Sequence, residues 1–308
     1  MNIPAIKSAL SGRLSPQATQ QLMALAALVI LYVYFAIFGR RFLSPSTFVS
    51  ILDSSYYIGF LAIGMTFVII TAGIDLSSGT VMVGSALVGG VAYNVWHLPI
   101  AVSLLVVLLT GVLFGVGNGV LVGFLHLPPF IATLGTMYVW RGFANIRSNG
   151  ATFSSISGHV GLGNTGYGFF ASSVLGIPMG VIIFAIFAVI AGIVLRKTAF
   201  GWHVLAIGGN QNAARLSGIK VDRNLIIVYA ISGFCAAMVG IITTSQLMGA
   251  NPSTGTSWEM NAIAASVLGG TSMAGGVGTI LGTVEGAFVI GVINDGMAMC
   301  GVTEFWQQ

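Results

Sequence analysis

The stretch PMGVIIFAIFAVIAGIVL-RKTAFGWHVLAIGGNQNAARLSGIKVDR-NLIIVYAISGFCAAMVGII, residues 178–242, places a polar segment between two long apolar runs. Residues 196–223 hold five of the eleven Lys and Arg residues (Arg196, Lys197, Arg215, Lys220 and Arg223) and one acid, Asp222. Each flank approaches the roughly 20 apolar residues that a helix needs to cross a bilayer. A basic loop between spans is retained in the cytoplasm. The centre of the loop, GGNQNAARLSGI, reads as one short helix capped at both ends. Asn210 carries the side-chain acceptor that an N-cap needs, and Gly218 suits the C′ position. A short capped helix at a membrane surface is a device for docking onto another protein.

Composition extends this reading to the whole chain. Its 308 residues are 56% hydrophobic and 6% charged, with 43 glycines and a mean hydropathy of +0.97. Soluble domains carry about 25% charged residues, so this chain cannot keep a water-facing surface. Membrane β-strands alternate apolar and polar residues, and nothing here alternates. The expected fold is an all-α integral membrane bundle with about 8–9 spans. Apolar runs place spans near 21–38, 48–71, 78–95, 99–125, 129–146, 177–195, 224–246 and 277–297, with a half-span or re-entrant piece at 261–270. Residues 1–20 read as a polar cytoplasmic tail before an uncleaved first span, and 21–308 as a single transmembrane domain. Residues 304–308 look like the beginning of another span. The net charge, 11 − 7 = +4, lies mostly in loops and does not suggest nucleic-acid binding.

Placing 196–223 in the cytoplasm and counting spans backwards also brings Lys7 and Arg13 inside. The same count puts the loops 147–176 and 247–260 outside. Arg40 and Arg41 then fall outside, against the positive-inside rule. Trp96, Trp140 and Trp258 sit near proposed span ends, where amphipathic rings favour the interface. Gly111, Gly115, Gly119 and Gly123 recur every four residues, as do Gly278, Gly282 and Gly286. Small-xxx-small stripes of this kind let helix backbones approach closely in lipid.

Catalytic signals are missing. No G-x-x-x-x-G-K-[ST] phosphate loop, HExxH or G-x-S-x-G occurs, and His97, His126, His159 and His203 lack metal-ligand spacing. The expectation is no catalytic residue, no metal and no cofactor in this chain. Intramembrane ionisable groups are costly and mark function by default; here they are Asp75, Glu285 and Asp295. Asp75, before LSSG, and Asp295, in INDG, read as structural caps. Glu285 borders the second glycine stripe and could bond a helix or line a path. Asn118, Thr133, Thr136, Asn145, Thr243, Asn261 and Ser266 offer neutral hydrogen-bonding groups for a polar solute's path. Each could instead bond a neighbouring helix. Without a charge cluster, a neutral solute is favoured.

Four segments carry a family resemblance: LAIGMTFVIITAGIDLSSGTVM, PPFIATLGTMYVWRGFA, KTAFGWHVLAIGGNQNAARLSGIKV and AIAASVLGGTSMAGGVGTILGT. In this order they resemble the permease subunit of ribose-type monosaccharide ABC importers. The resemblance implies about ten spans in the full subunit, arranged as in vitamin B12-type importers, in the bacterial inner membrane. It implies a second permease subunit, two nucleotide-binding ATPase domains that carry ATP and Mg, and an extracytoplasmic sugar-binding protein. Gly209, Asn210, Ala213, Ala214, Arg215 and Gly218 match the cytoplasmic coupling helix that sits in a groove on the ATPase. The alternative is an ATP-independent secondary transporter or channel, which would need ion-coupling acids.

Overall fold

The computed structural model describes residues 16–154, 168–247 and 249–302. Helices α1 (Pro16–Phe38), α2 (Pro45–Ile70), α3 (Ser78–Asn94), α4 (Ile100–Gly123) and α5 (Pro129–Ser148) are followed by strand β1 (Phe153–Ser154). A short turn of helix, α6 (Gly168–Ala171), precedes the hairpin of β2 (Ser173–Val174) and β3 (Ile177–Pro178). Helix α7 (Met179–Lys197) leads through α8 (Ala199–Gly209) and α9 (Gln211–Leu216) into α10 (Val221–Leu247). Strand β4 (Gly249–Ala250), α11 (Trp258–Leu268) and α12 (Ile280–Met299) follow. Proline at the first position of α2 and α5 suits a helix start, where its missing N–H has no partner to lose.

Helix α10 is the central post, packed most extensively on α4 and then on α2 and α3. The first glycine stripe makes the closest of these contacts. A Cβ on Gly111 would meet the Gly233 carbonyl, one on Gly115 the Tyr229 carbonyl, and one on Gly119 the Ile226 Cα at 2.5 Å. The stripe therefore seats α4 directly on the α10 backbone, where dispersion has to hold helices together without a hydrophobic drive. In the second stripe, Gly282 and Gly286 press on the carbonyls of Gly269 and Ala265 at the end of α11. Helix α2 lies between α12 and α11, its inner half wholly buried from Ile58 to Ile70.

Among the described residues six helices are long and apolar enough to cross a membrane: α1, α2, α4, α7, α10 and α12. The apolar run near 78–95 forms α3, of 17 residues, about 26 Å at 1.5 Å per residue. It is short for a bilayer and sheathed by α4, α10 and α5. The 261–270 piece is α11, of 11 residues and too short to span. Trp140 differs from expectation: it is buried against Phe114 and lies over Gly84, so it packs the core and not the interface. Trp96 is exposed beyond α3, and Trp258 packs at a tilt against Tyr57.

At 27 residues, about 40 Å, α10 separates the basic loop from β4. Strand β4 pairs antiparallel with β1, Phe153 opposite Ala250, and the Asn251 amide donates to the Thr152 hydroxyl at 3.2 Å. Parts of the two loops expected outside thus share the end of the bundle opposite the basic loop. Residues 155–167 of the first of them, with His159, lie outside the described residues.

Candidate functional site

Helix α9 is built by its two caps. Asn210 takes an extended conformation (φ −162°, ψ 105°), and its Oδ1 accepts from the Ala213 amide at 2.9 Å. At the other end Gly218 adopts φ +86°, a left-handed geometry that costs glycine nothing. There the Gly218 amide donates to the Arg215 carbonyl and the Ile219 amide to the Ala214 carbonyl, both at 3.1 Å. This pair of bonds is the Schellman arrangement. The Arg215 guanidinium meets the Asp222 carboxylate at 2.7 Å and ties α9 to α10. Both partners are well exposed, so the pair is worth about 0–1 kcal/mol.

One member of the expected docking set points the other way. Ala214 is only 4% exposed and packs inward, so it belongs to the base of α9. The outward face carries Gln211, Asn212, Ala213, Arg215 and, at its tip, Leu216, which is 91% exposed. Leu216 was missed by the motif reading. The signal was present, a lone leucine in a polar helix beside a C-cap.

The base of α9 is joined to the bundle by backbone. A Cβ on Gly208, near the end of α8, would overlap the Ile70 carbonyl oxygen and the Gly276 amide. That amide donates to the Ile70 carbonyl at 2.8 Å. Gly275 and Gly276 hold φ of +88° and +74°, which lets the 269–279 loop fold tightly enough to reach. The end of α2, the α11–α12 loop and the α8–α9 corner therefore meet without side chains between them.

From Ile70 the chain runs into the irregular segment 71–77, exposed at Ala72 and buried from Asp75 to Ser77, where its polar groups must find partners within the protein. Asp75 is buried there, and its carboxylate accepts from the Ser77 amide at 2.9 Å, the Ser77 hydroxyl at 2.6 Å and the Ser232 hydroxyl at 2.6 Å. The N-cap residue of α3 is Ser77 and not Asp75, so the carboxylate makes a local turn and reaches across to α10. The Asn118 amide donates to the Ser77 hydroxyl, and its oxygen accepts from Thr136, both at 2.7 Å. Thr133 bonds the Leu76 amide and the Pro129 carbonyl. Of the proposed path residues, Asn118, Thr133 and Thr136 are thus gathered with Asp75 into one network joining α3, α4, α5 and α10.

Asn145 is exposed, Asn261 and Glu285 are half-buried, and none of them joins that network. Ser266 bonds Thr66, which pairs with Thr283 at 2.6 Å, and this links α11, α2 and α12. Asp295 was expected to cap a helix end, but α12 continues to Met299. Its carboxylate instead takes hydroxyl bonds from Ser50, at 2.5 Å, and Ser54 on α2. Among the described residues no cluster of His, Cys, Asp or Glu could hold a metal ion.

These features define an all-α polytopic membrane protein with a knob at one end and a hydrogen-bonded interior. The chain belongs to the family described as branched-chain amino acid transport system / permease component, whose model matches residues 47–308. It is 40% identical to the ribose import permease protein RbsC of Bacillus subtilis (strain 168), over 94% of this chain and 88% of that one. It is 36% identical to RbsC of Escherichia coli (strain K12), over 92% and 88%. It is 35% identical to the xylose transport system permease protein XylH of Haemophilus influenzae, over 93% and 91%. No solved structure matches.

Proposed function

We propose that this chain is the membrane-spanning subunit of a bacterial ABC importer that carries a neutral pentose such as ribose or xylose into the cytoplasm. The observation that carries this reading is similarity to ribose and xylose permeases over nine-tenths of the chain. Although the family description speaks of branched-chain amino acids, a zwitterion would need paired counter-charges at membrane depth. The buried network holds no cation to meet a carboxylate, and its one acid is already engaged by three hydrogen bonds.

In this reading the subunit pairs with a second permease copy or paralogue and with two ATPase domains, where ATP and Mg reside. A binding protein delivers the sugar at the β1–β4 end. Helices α3 and α5 also traverse the membrane, which brings the count to eight with α11 as a half-span, in a B12-type arrangement of about ten in a full subunit. The N-terminus and the basic loop face the cytoplasm. Helix α9 docks in the ATPase groove through Asn210, Ala213, Arg215 and Leu216, with Gly209 and Gly218 as its bends and Ala214 as its anchor. ATPase closure pushes α9, and the Gly208 joint passes the motion to the 71–77 and 269–279 loops. Asn145, Asn261 and Glu285 remain candidates for contact with the moving solute, and Asp75 and Asp295 are structural.

A gradient-driven transporter is less well supported, because the similar proteins are import permeases and hydroxyls hold Asp75 and Asp295, leaving Glu285 of the three candidate coupling acids. The test is reconstitution with candidate ATPases and binding proteins in nanodiscs. Hydrolysis should rise only with a ribose- or xylose-loaded binding protein. Uptake driven by an ion gradient without ATP would overturn the reading.

A further inference from the structure

Two cavities of the described residues meet at Ile227, and their linings differ sharply. The first, about 430 Å³, lies where α8, the α9–α10 turn and α10 converge and is lined by His203, Lys220, Arg223, Asn224, Phe200 and Ile227 among others. The second, about 360 Å³, is a groove between α4, α7 and α10 with only apolar side chains, including Val116, Phe187, Val194, Ile231 and Phe234. Arg223, Ile227, Ile231 and Phe234 follow one another at helical spacing on a single face of α10. That face therefore passes from cationic to wholly apolar in the direction leading from the basic loop into the bundle.

Dimensions and charge identify the occupant. From Arg223 to Phe234 is eleven residues, about 16 Å along the axis, close to half of the roughly 30 Å hydrocarbon core. The stripe thus has the depth of one leaflet. Lys220 and Arg223 have no carboxylate partner among the described residues, since the ion pair found there, Arg215–Asp222, leaves both out. Arginine presents donors that match phosphate geometry, and the Asn224 side chain lies in the same wall. Basic pockets between helices at the cytoplasmic surface hold anionic lipid headgroups.

We propose that the two cavities together form a binding site for one anionic phospholipid. Its phosphate is held by Lys220, Arg223 and His203, and one acyl chain lies in the α4–α7–α10 groove. A bound lipid here would brace α8 and α10, the two helices that carry α9. The assignment needs only that the chain spans a membrane and does not depend on which solute is moved.

The test is native mass spectrometry of the full-length chain after exchange into vesicles of phosphatidylglycerol or of phosphatidylcholine with matched acyl chains. Retained phosphatidylglycerol should exceed phosphatidylcholine at least tenfold. Lys220→Gln with Arg223→Gln, both at exposed positions, should cut retention at least fivefold without changing the melting profile in lipid-free detergent. Ile190→Trp, at an exposed position of the groove wall, fills the groove without touching a charge and should do the same, and glycerol 3-phosphate at equal concentration should not compete. Equal retention of the two lipids, or retention insensitive to these variants, would overturn the proposal. So would competition by the chainless phosphate, or displacement of the lipid by an added partner ATPase.

Discussion

The Gly276 amide donates to the Ile70 carbonyl at 2.8 Å, and Gly208 closes over that bond so tightly that it has no room for a side chain. This is the contact through which the α8–α9 corner touches the 71–77 and 269–279 loops. A Cβ at Gly208 would lie 1.6 Å from the Ile70 oxygen, so Gly208→Ala must separate the three backbones by more than an ångström. Sugar uptake in reconstituted vesicles is expected to fall at least tenfold while ATPase binding, measured by co-purification, persists. Gly192→Ala, whose Cβ would meet only Ile280 at 4.0 Å, should transport normally. Normal uptake by Gly208→Ala would refute the joint.

Asp75 is the acceptor for three donors in the core. Asp75→Ala leaves the Ser77 and Ser232 hydroxyls without that partner, at about 1–3 kcal/mol for each buried group left unsatisfied. Asp75→Asn keeps one accepting oxygen and should lose less. Thermal unfolding in detergent is expected to rank wild type above Asn and Asn above Ala. Equal stability of the two variants would contradict the network role.

Glycines on α4 should divide by face. Gly115 lies against the Tyr229 carbonyl and the Ala230 Cα, whereas a Cβ on Gly117 would meet nothing within 4 Å. Gly115→Ile should abolish monodisperse protein on size exclusion, because α4 and α10 can no longer touch. Gly117→Ile should leave the folded yield within about twofold of wild type, as surface substitutions rarely exceed 0.5 kcal/mol.

What the sequence disclosed was local. Asn210 and Gly218 announced the ends of α9 because caps are read from one or two residues. The glycine stripe announced a packed face because its four-residue spacing is helical. Partners far along the chain were invisible: nothing near Asp295 points to Ser50 and Ser54, more than 240 positions away. Trp140 illustrates the same limit, since an amphipathic ring near a span end looks alike in lipid headgroups and against Phe114. Ala214 and Leu216 lie two residues apart on a six-residue helix, and only packing decides that one is buried and the other exposed. The apolar run of α3 resembled a lipid-facing span because burial in protein and burial in lipid select the same side chains.

As proposed, α9 is the handle by which separate ATPases move this body. The direct measurement is sugar uptake and ATP hydrolysis in proteoliposomes holding the permease, its ATPases and a loaded binding protein, comparing wild type with Leu216→Asp. Leu216 is almost fully exposed, so the change should leave folding and membrane insertion intact. The expected result is at least a tenfold loss of both uptake and sugar-stimulated hydrolysis, with less ATPase co-purifying. Unchanged uptake and a complete complex would contradict it.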